Sequence, residues 1–127
     1  MSNHCNLFSV IKQGILSKKL RVRVKNCKFF ISILSILYNN GYIRFFTVSK
    51  DSLFINIFLK YKNMESVIQD IYIYSKPSNR FYISHKKLKE LCKEKNMFGI
   101  ISTSSGLLSI DSCLFYKKGG ELLCLIE

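Results

Sequence analysis

The stretch KKLRVRVKN, residues 18–26, decides the fold of the first half of the chain, because charged and apolar side chains alternate along it. A period of two predicts a strand with one buried face. Cations without an interleaved acid repel one another. The charged face is therefore either an ordinary solvated surface or a contact for an anion, and the sequence leaves both interpretations open. The charged and the apolar sets are Lys19, Arg21, Arg23 and Lys25, and Leu20, Val22 and Val24.

The segments around this strand predict helices and strands in alternation. Apolar residues at helical spacing predict a helix before it, and Asn26 is placed to cap a largely apolar helix that ends near Gly41. A hairpin follows, because two apolar stretches flank a four-residue polar turn. These elements give an α-β-α-β-β order: a helix over 3–16, the strand, a helix over 27–38, and strands over 42–48 and 53–61.

The second half is predicted to be mainly β. A polar shift at YKNMES places a subdomain boundary after residue 63, so that residues 1–63 and 64–127 form two subdomains. The fold class is therefore α+β, with an N-terminal α-β-α-β-β unit and a mainly β C-terminal unit with one or two short helices. The C-terminal elements are a strand over 67–74, a turn around Pro77, a short strand over 80–84, a helix capped by Ser84, strands from Gly99 and Gly106, a short helix or turn over 111–117, and a final strand from Gly119.

The charge of the chain favours a polyanionic partner. Twenty Lys and Arg residues against eight acids give a net charge of +12, and 48% of the residues are hydrophobic. A basic sequence that still supplies a core suits a folded domain bound to nucleic acid or docked on an acidic membrane surface. The membrane alternative draws on the apolar second helix, although no apolar stretch reaches the ~20 residues of a membrane span.

The composition also bears on location. Alanine is absent, while residues with A/T-rich codons such as Phe, Tyr, Ile, Asn and Lys are abundant. No import or secretion signal is visible at the start. Both features favour an organelle-encoded protein, and an AT-rich bacterium would show the same bias.

The sequence contains no recognisable catalytic motif. The only histidines are His4 and His85, with no supporting acid pattern, and no phosphate-binding loop or nucleophile elbow is present. The five cysteines lack the paired spacing of a zinc site and predict reduced, mostly buried thiols. We expect no enzyme, no cofactor, no metal and no small-molecule substrate.

Two edges of small residues suit contacts with a nucleic acid. Short hydroxyls donate to phosphate and ribose oxygens, and glycines let backbone N–H groups approach closely. The first edge is Thr103, Ser104, Ser105 and Gly106, and the second is Gly119, Gly120 and Glu121. Arg80 and Tyr82 add a cation and an aromatic ring, although each edge alone is more often an ordinary turn.

The C-terminal motifs of the sequence, with their spacing and order, closely resemble those of the bacterial-type small-subunit ribosomal protein of family eight. The C-terminal signature is GIISTSSGLL at residues 99–108, followed by GGELLC at residues 119–124. The resemblance extends to SKPSNRFYISHKKLKEL at 75–91 and to ILSILYNNGYIRFF at 33–46, and it is loose in the first helix.

This resemblance implies a structural constituent of the small ribosomal subunit that binds the central domain of small-subunit rRNA and supports its assembly beside other small-subunit proteins. Departures from the family, together with the codon bias and the absence of a visible import signal, favour a mitochondrially encoded member on a mitochondrial ribosome, with a plastid or an AT-rich bacterium as the alternatives. Ser105 departs from the family, which has a basic residue there, and Ile110-Asp111 replaces its Asp-Arg pair; both changes remove positive charge. The implied RNA contacts are Ser102, Thr103, Ser104, Ser105, Gly106, Gly119, Gly120, Glu121, Arg80, Tyr82 and Lys76.

Overall fold

The computed structural model describes residues 4–76, 78–94 and 98–127 and divides the chain into two compact units. The units are Met1–Gln69 and Asp70–Glu127. The boundary expected after residue 63 falls inside a small hairpin of the first unit. The α+β class with two subdomains, predicted from the sequence, is confirmed.

The N-terminal unit has the predicted α-β-α-β-β order. The elements are α1 (His4–Leu16), β1 (Arg21–Lys25), α2 (Lys28–Asn39), β2 (Ile43–Val48), β3 (Phe54–Leu59), β4 (Tyr61–Lys62) and β5 (Glu65–Ser66). The three main strands form an antiparallel sheet in the order β1-β3-β2, and β4 and β5 form a two-stranded hairpin.

The side chains of β1 alternate between buried and exposed as predicted, except at the start of the strand. Val22 and Val24 are buried opposite Ile57 and Ile55 of β3, while the basic side chains of the strand are exposed. Leu20 was expected on the buried face, which is wrong: the strand begins one residue later and Leu20 is 72% exposed.

The predicted cap of α2 is also wrong. Cys27 occupies the N-cap position without a side-chain hydrogen bond. The Asn26 side chain instead donates from Nδ2 to the carbonyl oxygen of Ser52 at 2.9 Å, which ties the end of β1 to the β2–β3 turn. Gly41, with φ of +78°, turns the chain after the helix as predicted.

The apolar residues of α2 supply the core of the N-terminal unit. Phe30, Ile33, Leu34 and Leu37 are 0–5% exposed. The expectation that this helix offers a membrane-docking surface therefore loses its structural basis. Among the described residues, no helix has the length and apolar character to span a membrane.

The C-terminal unit is built around its last strand. Its elements are β6 (Ile71–Ile73), β7 (Tyr82–Ile83), α3 (His85–Glu94), β8 (Phe98–Thr103), β9 (Gly106–Ser109), α4 (Ile110–Tyr116) and β10 (Gly120–Ile126). The long strand β10 pairs antiparallel with β6, β7 and β8, and β8 continues into a hairpin with β9. The side chains of Leu88, Ile101, Cys113 and Leu122 pack in the core.

Several C-terminal elements differ in length from the prediction. The strand expected over 67–74 is reduced to β6, and the strand expected over 80–84 to the two residues of β7. Ser84 caps α3 as predicted, accepting a hydrogen bond from the Lys87 N–H at 3.4 Å. The turn around Pro77 is closed by backbone hydrogen bonds of 3.0 Å between Lys76 and Asn79, while Pro77 itself lies outside the described residues.

The cysteines are free thiols. Cys113 and Cys124 are buried and the other three are partly exposed, so the expected burial holds for two of the five. Burial raises the pKa of the Cys124 thiol far above its ordinary value.

Candidate nucleic-acid interface

The two small-residue edges meet at one end of the C-terminal sheet. Glu121, at the start of β10, is paired with Ser102 on one side and with Tyr82 on the other. Thr103 and Gly106 close the adjacent β8–β9 hairpin. Strand pairing therefore gathers residues that are far apart in sequence into one surface, which we call the hairpin end.

Within the loop, the Thr103 hydroxyl is engaged by its own turn. Its Oγ1 donates to the Gly106 carbonyl at 2.8 Å and accepts from the Ser105 N–H at 3.1 Å. Gly106 has φ of +105°, a conformation that glycine adopts without a steric penalty. Thr103 therefore shapes the turn, and Ser104 lies exposed at its tip.

A lysine that the sequence analysis did not select lies at this loop. The Lys118 ammonium donates a hydrogen bond to the Ser105 hydroxyl. Lys117 at the end of α4 adopts the left-handed conformation, with φ of +56°, and Lys118 follows this turn. Positive charge thus stands beside Ser105, the position where the resemblance indicated that a cation was missing.

Gly119 and Gly120 are sites of close backbone approach. A Cβ on Gly120 would lie 2.3 Å from the Ser102 carbonyl oxygen, and one on Gly119 would lie 2.6 Å from the Ile83 carbonyl oxygen. Side chains at these positions would push β10 away from its neighbours. Close packing against neighbouring backbone therefore explains why both positions are glycine, independently of any contact with RNA.

Glu121 lies in a polar cluster rather than on an open surface. Its Oε2 accepts from the Arg80 guanidinium at 3.1 Å and from the Ser75 hydroxyl, and the Glu121 side chain is only 13% exposed. Ser75 is fully buried, and its hydroxyl also accepts from the Phe81 N–H at 3.4 Å. Since phosphates repel carboxylates, Glu121 positions Arg80 and Ser75 more readily than it contacts RNA directly.

The two remaining candidates are exposed. Tyr82 is 70% exposed beside Glu121 on β7, and Lys76 is exposed in the turn that follows Ser75. Tyr82 therefore lies within the hairpin end. Lys76 lies beside the hairpin end, because the preceding residue, the buried Ser75, is hydrogen-bonded to Glu121. Sequence reasoning missed Ser75 and Lys118, since only pairing across the fold brings them to the candidates.

Comparison with known proteins then defines the family. The family model for ribosomal protein S8 matches residues 4–126. The chain belongs to the ribosomal protein S8 family. The resemblance read from its C-terminal signature is confirmed, and so is the prediction that it is not an enzyme, because this family comprises ribosomal proteins.

Relatives of the S8 family match along nearly the whole chain. Small ribosomal subunit protein uS8m of Acanthamoeba castellanii is 42% identical over the full length of both chains. The uS8 protein of Dictyoglomus thermophilum is 31% identical over 91% of this chain and 89% of its own. The uS8 protein of Buchnera aphidicola subsp. Baizongia pistaciae is 32% identical over 96% of this chain and 94% of its own.

Proposed function

We propose that this S8-family protein is a structural constituent of a mitochondrial small ribosomal subunit and binds the central domain of small-subunit rRNA through the hairpin end. The observation that carries the proposal is the convergence of the exposed Ser104, the cation Lys118 and the exposed ring of Tyr82 at one end of one sheet. The mitochondrial location is supported by the uS8m relative, which matches over the full length.

The chemistry of this end suits RNA. Hydroxyls and ammonium groups bind phosphate oxygens and ribose hydroxyls, and an exposed tyrosine offers a face for stacking. Arg80 keeps its guanidinium partly exposed while Glu121 fixes its position. An arginine that is already oriented loses less side-chain entropy when it binds a phosphate.

Lys118 gives the sharpest test of this proposal. We expect Lys118→Ala to weaken binding to a central-domain rRNA fragment and to lower the slope of log affinity against log salt concentration by about one, because one phosphate contact is lost. Titrations at several salt concentrations with fluorescently labelled RNA measure both quantities. Ser104→Ala tests the loop hydroxyl in the same assay.

Lys86→Ala is the matched control, because it removes one exposed lysine from α3 of the same unit. An equal loss of affinity in Lys86→Ala and Lys118→Ala would mean that binding depends on overall charge, and would contradict a contact at the hairpin end. A wild-type affinity that does not respond to salt, or an equal affinity for an unrelated structured RNA, would count against rRNA recognition altogether. Co-sedimentation with a mitochondrial small subunit tests the location.

A further inference from the structure

The outer face of the N-terminal sheet is organised in rows that run across all three strands. Arg21, Phe58 and Phe45 form one row, and Arg23, Asn56 and Thr47 form the next. Lys25 is paired with Phe54 in a third row. Each row therefore starts with a cation on β1 and has an aromatic or amide side chain on the central strand β3; we call this surface the basic-aromatic face.

One ring on this face is exposed, and it stacks on a half-buried neighbour. Phe45 and Phe58 have ring centroids 4.2 Å apart with planes inclined by 23°, and Phe45 is 41% exposed. The Arg23 guanidinium lies 4.0 Å from the centroid of the Phe54 ring. The Phe45–Phe58 stack thus leaves the Phe45 ring exposed on a sheet whose edge strand β1 carries the cations.

Most of the charge of the protein belongs to this unit. Residues 1–69 contain eleven Lys and Arg and two acids, Asp51 and Glu65, so the unit carries +9 of the total +12. The hairpin end belongs to the other unit, residues 70–127, which carries the remaining +3. An RNA contact at the hairpin end alone would therefore leave most of the positive charge unexplained.

We propose that the basic-aromatic face is a second RNA-binding surface, which takes an unpaired segment of RNA with a base stacked on the exposed Phe45 ring and its backbone along β1. Alternate residues on one face of a strand lie ~7 Å apart, so the three cations form an evenly spaced ladder beside the rings. A three-stranded sheet does not fit the deep, narrow major groove of duplex RNA, whereas an unstacked base can lie on an exposed aromatic ring. The proposal rests on the proposed rRNA-binding function and adds a site and a class of RNA.

Two features favour RNA over an acidic membrane at this face. Asn56 and Thr47 occupy its middle row, where polar side chains suit base and sugar contacts. The rings of Phe54 and Phe58 lie half-buried in the sheet, and the exposed Phe45 ring is stacked on Phe58, so no ring projects freely as a wedge for insertion into lipid.

The test uses the full-length protein and a fluorescein-labelled single-stranded oligouridine. We expect the triple variant Arg21→Gln, Arg23→Gln, Lys25→Gln to lower the salt slope by about two, since each phosphate contact on a single strand contributes about 0.7. Phe45→Leu removes the exposed ring without changing charge. It should lower affinity about five- to 150-fold and leave the salt slope unchanged.

The matched control is the triple variant Lys86→Gln, Lys87→Gln, Lys89→Gln, which removes the same charge from exposed positions of α3. Circular dichroism and thermal melting establish that each variant is folded. Equal losses in the two triple variants, or wild-type affinity in both the β1 triple variant and Phe45→Leu, would overturn the proposal. So would wild-type binding to vesicles of phosphatidylserine and phosphatidylcholine that competing oligouridine does not reduce.

The outcome is separable from that of the proposed function. Loss of binding to the central-domain fragment in Lys118→Ala, together with unchanged oligouridine binding in the β1 variants, would reject only the second surface. Absence of any salt-dependent RNA binding by the wild-type protein would reject both.

Discussion

Gly120→Ala tests whether the Gly-Gly pair serves the sheet or only the RNA. The added methyl group would lie 2.3 Å from the Ser102 carbonyl oxygen, 3.1 Å from the Ser102 carbonyl carbon and 3.2 Å from the Thr103 Cα. All three atoms are backbone, so no change of rotamer relieves the contact. The start of β10 must therefore separate from β8 by about 1 Å, judged against ordinary packing distances.

The cost of this separation follows from two opposing effects. Overpacking costs about 1–3 kcal/mol, and each weakened ladder hydrogen bond adds about 1 kcal/mol. Alanine also reduces the entropy of the unfolded chain, which raises the free energy of unfolding by about 0.4–1 kcal/mol. We therefore expect Gly120→Ala to lower the free energy of unfolding by about 2–3 kcal/mol, and the thermal midpoint by about 10 °C.

Urea denaturation followed by circular dichroism measures this change. Ser104→Ala is the control, since it alters an exposed side chain at the same end of the sheet and should change stability by less than about 0.5 kcal/mol. Should Gly120→Ala prove as stable as the wild-type protein while losing RNA affinity, the glycine would serve RNA approach, and the packing argument would be refuted.

Two further predictions concern groups within the C-terminal unit. Glu121→Ala removes the acceptor shared by Ser75 and Arg80. We expect the free energy of unfolding, measured by urea denaturation, to fall by about 1–3 kcal/mol, because a buried hydroxyl loses its charged partner. A change as small as that of Ser104→Ala would show that the cluster does not stabilise the fold. For Cys124, whose pKa burial raises, the folded thiol keeps its proton when the unfolded thiol ionises, so the free energy of unfolding should fall as the pH rises above about 8.5. Cys124→Val should flatten that dependence in denaturation curves between pH 7 and 10, and an unchanged slope would contradict the assignment.

The order of the elements was predictable because it depends on neighbours in the sequence. Period-two alternation identified β1, helical spacing identified α1, and a largely apolar stretch that ends near Gly41 identified α2. The predictions failed where a distant partner competes for a local group. Asn26 was expected to cap α2, but its amide donates to Ser52, which the hairpin brings within reach from 26 residues away.

The candidate surface was predictable only as a list of residues. The family signature pointed to the residues of the hairpin end, and their contacts with RNA stay a prediction. What each side chain does was decided by long-range pairing: Thr103 closes its turn, while Glu121 holds Arg80, 41 residues distant. A pattern of residue types carries no information on which of these groups already has a partner.

The sequence by itself determined the charge, the alternation of β1 and the signature of the family, because these are properties of residues and their local spacing. Only the tertiary structure decided that Lys118 stands beside Ser105, and that cations and rings share rows on the N-terminal sheet. The physical reason is strand register, since hydrogen bonding between strands fixes which side chains are neighbours across a sheet.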